Sequence, residues 1–166
     1  YYSINMSGMT ASASYSRTGV GTDSSVALVA NELVDGATFG IGTGTNVTGT
    51  SGTEDDMTTV FATYASGPMT FGVQLSEIDK TAADSDVDRE AAAISFAVNE
   101  NLSISYGIST VKYEASTSVD AESNGFSASY TMGGMTVGAV SNKTDSFGGT
   151  AGTDQEFTEV SLSFAF

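Results

Sequence analysis

Asp84-Ser85-Asp86-Val87-Asp88 sets three carboxylates at alternate positions, the spacing at which an oxygen-rich loop begins to surround a hard cation. A helix–loop–helix calcium loop needs Gly at its sixth position and Glu at its twelfth. Arg89 and Ser95 stand there, which rules that motif out. Asp84, Asp86 and Asp88 remain candidates for holding Ca²⁺ in an acidic loop, beside the plainer reading of a solvated charged loop. Gly40-Ile41-Gly42-Thr43-Gly44 touches a dinucleotide pattern, but it lies in an extended stretch with no helix after it, so it carries no such function.

What is missing is as informative. The chain has no Cys and no His. Thiolate chemistry, disulfides, the common zinc sites and Ser-His-Asp triads are therefore unavailable. Carboxylate or Lys chemistry is all that remains, and the chain reads as a non-enzyme. A net charge of −15 makes nucleic acid a poor partner. No apolar run of about 18 residues is present, so no helix of this sequence spans a bilayer.

The elements that would position any site are strands. Leu102, Ile104, Tyr106 and Ile108 alternate with Ser103, Ser105, Gly107 and Ser109. Phe126, Ala128, Tyr130 and Met132 alternate with Ser127, Ser129 and Thr131, and Met69, Phe71, Val73 and Leu75 with Thr70, Gly72, Gln74 and Ser76. The closing stretch sets Val160, Leu162, Phe164 and Phe166 against Glu159, Ser161, Ser163 and Ala165. Successive side chains of a strand point to opposite faces, so each stretch has one apolar and one polar face. Around 60–64 the rule weakens, because Phe61 falls on the polar side.

Tight turns at Ser7-Gly8, Val34-Asp35-Gly36, Gly67-Pro68, Glu100-Asn101 and Gly133-Gly134 alternate with longer polar loops near 17–24, 46–56, 79–88, 115–122 and 144–154. The pattern predicts about eleven antiparallel strands with all long loops at one end. Twelve acids fall in those loops: Asp23, Glu54, Asp55, Asp56, Asp79, Asp84, Asp86, Asp88, Asp120, Glu122, Asp145 and Asp154.

Two architectures suit such strands. A sandwich packs apolar faces together, whereas a transmembrane barrel turns them to lipid and its polar faces to a lumen. Long strands, many Ala, Met and Val on the apolar face, Gly, Ser and Thr on the other, and aromatics at strand ends (Tyr64, Tyr130, Phe164, Phe166) favour the barrel. An isolated open sheet in lipid would leave two unmet edges, so a count of eleven means that strands are missing, that the true count differs by one, or that other chains complete the wall.

Three stretches resemble the general porins of Gram-negative bacteria, especially the alphaproteobacterial type. EVSLSFAF is similar to that family's closing strand, and NGFSASYTMGGMTVGAV and YASGPMTFGVQLSEID to its repeating hairpins. The resemblance implies a sixteen-stranded barrel in the bacterial outer membrane, a homotrimer, and an assembly signal at Leu162, Phe164 and Phe166. It also implies that residues 1–166 are the C-terminal part of one barrel domain, lacking the first strands and the constriction loop.

On this reading small hydrophilic solutes and ions diffuse passively past a wall that includes Thr70, Gln74, Ser76, Ser103, Ser105, Ser127, Ser129, Ser161 and Ser163. Arg89 points into the lumen mouth, and the acidic loops predict mild cation selectivity. Arg17, Lys112 and Lys143 each end a strand on the outward face, where lipopolysaccharide phosphates lie beside the membrane lipid. The principal rival is a secreted or surface-layer Ser/Thr/Gly-rich β adhesin, which would bury its apolar faces. A carboxylate enzyme housed in a barrel is a more distant one.

Overall fold

The computed structural model describes all residues except 18, 20, 32, 48–52 and 166. Eleven strands follow in order: β1 (Tyr2–Met6), β2 (Met9–Arg17), β3 (Thr22–Asn31), β4 (Ala37–Val47), β5 (Glu54–Ser66) and β6 (Met69–Asp79), then β7 (Val87–Ala97), β8 (Leu102–Tyr113), β9 (Ala121–Met132), β10 (Met135–Asp145) and β11 (Gln155–Phe164). They form one antiparallel sheet in which spatial order equals chain order. The only helical element among the described residues is a 3₁₀ turn at Phe147–Gly149.

The short connections are set by backbone chemistry. Ser7 and Gly8 both adopt positive φ, 38° and 87°, the conformation of a two-residue hairpin turn. At the β7–β8 turn the Asn99 carboxamide oxygen accepts from the Asn101 and Leu102 N–H groups at 2.9 and 3.0 Å. Gly36 has φ 75°, and a Cβ there would collide with the Ala65 carbonyl oxygen, so the β3–β4 turn needs glycine on both counts.

Among the described residues no second layer covers the sheet. Ala30, Ala37, Val47 and Ala121 are the only buried apolar residues among those described. Ile108, Phe126 and Leu162 stay 53%, 48% and 55% exposed on the apolar face. A sandwich would have closed over these side chains.

The acids depart from the sequence reading. Asp23 lies in β3; Glu54, Asp55 and Asp56 in β5; Asp79 in β6; Asp88 in β7; Glu122 in β9; and Asp145 in β10. Of the twelve, Asp84, Asp86, Asp120 and Asp154 occupy connections. The reason is strand length. The 13 residues of β5, rising ~3.3 Å each, span roughly 43 Å, and the acids Glu54, Asp55 and Asp56 take up the first part of that length. The ladder therefore continues through the acids, Asp55 pairing with Asn46 and Asp56 with Thr45 and Asp79.

Candidate functional site

Strand register sorts every side chain to one face. One cross-strand row runs Thr70, Ser95, Ser105, Ser127. The next runs Gly72, Ala93, Gly107, Gly125, Asn142, and the next Gln74, Ala91, Ser109, Ser123, Thr144. Above these lie Ser76, Arg89 and Val111. Below, Ser103, Ser129, Gly138 and Ser161 align, followed by Thr131, Thr136 and Ser163. All ten residues expected on the polar wall thus share one face.

The hydroxyls of this face pair across strands. Ser105 and Ser127 Oγ lie 2.7 Å apart, Ser123 Oγ and Thr144 Oγ1 2.9 Å, and Ser14 and Ser25 Oγ 2.7 Å. Ser76 Oγ accepts from Thr59 Oγ1 and from Gln74 Nε2, each at 3.0 Å. Each such pair leaves further acceptor positions open on this face. The same face is concave. It lines a wide-open cavity of about 690 Å³ reaching from β5 to β10, bordered among others by Gln74, Arg89, Ser109, Ser123, Asn142 and Thr144. Arg89 is the one cation lining it, and no carboxylate does. Among the described residues Arg89 forms no ion pair.

Ser109 follows from the alternation along 102–109, whereas Ser123, Asn142 and Thr144 were not expected from the sequence, although continuing the alternation along β9 and β10 would have found them. Phe61 belongs here too. It stands opposite Gly40, and a Cβ on that glycine would overlap its ring. The glycine explains how a large ring lies on a wall of small residues.

The opposite face carries a continuous cross-strand row of Tyr64, Phe71, Ile94, Tyr106 and Phe126. Toward the long loops this face turns acidic. Asp56 opposes Asp79, Glu77 opposes Asp88, and Glu122 opposes Asp145. Register puts Arg17, Lys112 and Lys143 on this face as well, beside Thr22, Asp88 and Glu156. Lys112 Nζ lies 2.7 Å from Glu90 Oε1, and Lys143 Nζ 2.7 Å from Asp145 Oδ1. Arg17 has no ion pair among the described residues.

Asp84, Asp86 and Asp88 do not converge. Asp84 sits in a turn at φ 57°, the Asp86 carboxylate accepts from the Lys80 backbone N–H at 2.7 Å, and Asp88 lies on the outward face of β7. Among the described residues no group of three acids is placed to hold a metal ion. Of the expected assembly signal, Leu162 and Phe164 lie on the outward face of β11 opposite Val137 and Met135, and Phe166 lies outside the described residues.

Neither a protein-family model nor a curated protein matches the sequence. Solved structures do match in shape. The anion-selective porin from Comamonas acidovorans superposes with a TM-score of 0.82 at 15% identity, over 98% of this chain and 57% of that one. OmpT, an outer membrane protein of Vibrio cholerae, gives 0.69 at 18% identity over 98% and 59%, and its loop L8 deletion variant 0.71 at 17% identity over 98% and 61%. The chain therefore spans about three fifths of the length of these structures. The architecture is an all-β antiparallel sheet similar to the walls of outer-membrane β-barrel porins.

Proposed function

We propose that the chain forms part of the wall of an outer-membrane porin, a water-filled channel for passive diffusion of small hydrophilic solutes and ions. The observation that carries this reading is the segregation of faces in a single uncovered sheet. Hydroxyls line the concave side, while Ile108, Phe126 and Leu162 stand exposed on the other. A convex apolar face with no protein layer over it suits hydrocarbon, and a concave hydroxyl face suits water.

The remaining strands of the barrel come from outside this sheet. β1 and β11 stand at its two ends, and backbone groups left unmet in hydrocarbon cost several kcal/mol each. A total of sixteen strands and assembly as a homotrimer belong to the same reading. Ion preference follows from charge. Twenty acids against five bases raise cation concentration at the mouth, so the channel is mildly cation-selective. Outward acids opposing one another keep much of that charge at the long-loop end.

Planar-bilayer recording of the purified protein tests the channel. Discrete conductance steps that grow with KCl concentration are expected. Membranes that stay silent although the protein has inserted would overturn it.

A further inference from the structure

The concave cavity is electrostatically out of character with its protein. The chain carries 20 acids and 5 bases, yet the cavity is lined by Arg89 and no carboxylate. The nearest inward acid by register, Asp55, stands near the start of β5, two strands from Arg89 and outside the lining of the cavity. Below the arginine the wall is bare. Gly72, Ala93, Gly107 and Gly125 oppose one another across β6 to β9 and form a floor roughly 14 Å wide at the ~4.8 Å strand spacing. One rim of that floor is Gln74, Ala91, Ser109 and Ser123; the other is Thr70, Ser95, Ser105 and Ser127. Asn142 closes the β10 end. A Cβ at Gly125 would strike its carboxamide oxygen, so the glycine leaves that amide room over the floor.

A guanidinium with no ion pair among the described residues, lining the same cavity as a bare floor edged with hydroxyls and amides, offers two kinds of contact. It gives forked donors to a phosphate or carboxylate, and the rims give and accept hydrogen bonds to hydroxyl groups. We propose that this cavity is a binding station for small organic anions that also carry hydroxyl groups. Arg89 takes the anionic group and the rims of the floor take the hydroxyls. The station rests on the channel reading, because solutes reach it from the lumen. It would hold such anions briefly inside a channel whose mouth favours cations.

The test is block of single-channel KCl current by glucose 6-phosphate, with glucose as the uncharged comparison. Glucose 6-phosphate is expected to reduce the current in a concentration-dependent way, and glucose far less. Arg89→Gln should raise the half-blocking concentration at least roughly tenfold, the worth of one charge-assisted hydrogen bond. Arg89→Lys, which keeps the charge, should retain much of the block, and Lys80→Gln, in the β6–β7 connection away from the cavity, all of it. Equal block in wild type and Arg89→Gln, or equal block by glucose, would overturn the station while leaving the channel intact. Absence of any conductance would overturn the channel reading and the station with it.

Discussion

Ser105 and Ser127 oppose each other across β8 and β9 with their hydroxyl oxygens 2.7 Å apart, while one residue earlier on β8 Ile104 opposes Ala128 with no polar atom between them. A single step along the strand passes from a hydrogen-bonding wall to an apolar one. That step separates the two faces along the middle of β8 and β9.

Arginine should therefore be tolerated on one face and not on the other. Ile104→Arg is expected to cost about 2–4 kcal/mol if it meets the bilayer midplane, and Ser105→Arg little. Urea titration of folding into lipid vesicles measures both. Equal costs would contradict the assignment of faces.

Turn glycines separate conformation from crowding. Gly36 and Gly67 both have positive φ, 75° and 57°, but only at Gly36 would a Cβ meet a neighbouring carbonyl. Gly67→Ala should lose about 1–2 kcal/mol from conformation alone, and Gly36→Ala more. Unfolding midpoints in the same vesicles should fall in that order.

Cations of the outward face should differ in their hold on lipopolysaccharide. Lys112 and Lys143 are already paired with Glu90 and Asp145, whereas Arg17 forms no ion pair among the described residues. Changing all three to Gln should lower lipopolysaccharide co-purification, and Arg17→Gln alone should account for most of the loss. Retention unchanged in the triple variant would remove these residues from lipid binding.

Cation preference should fade with salt. Fields from the acidic mouth are screened over about 8 Å in physiological salt and about 3 Å at 1 M. Reversal potentials under a KCl gradient should move toward zero as both baths are concentrated. A preference for anions at low salt would contradict the charge argument.

Much of the architecture was legible in the sequence, for a physical reason. Period-two alternation in 102–109 and 126–132 and the turn residues at Ser7-Gly8 and Gly133-Gly134 are local signals, and they fixed strand number and loop polarity. The acids were misplaced because a charged residue reads as loop, yet Asp56 and Asp79 extend a ladder beyond the apolar band. The glycine-alanine floor was invisible because it arises from register across four strands, each contributing one small residue. Phe61 looked like a fault in the pattern until Gly40 stood opposite it.

The most direct measurement uses the absence of cysteine from the chain. Single Cys substitutions at each position from Ser103 to Ile108, in protein reconstituted into vesicles, would be probed with a small charged maleimide. Rapid labelling at 103, 105 and 107 with slow labelling at 104, 106 and 108 is the predicted result. Equal labelling at both sets, or the reverse order, would contradict a wall with water on one side and lipid on the other.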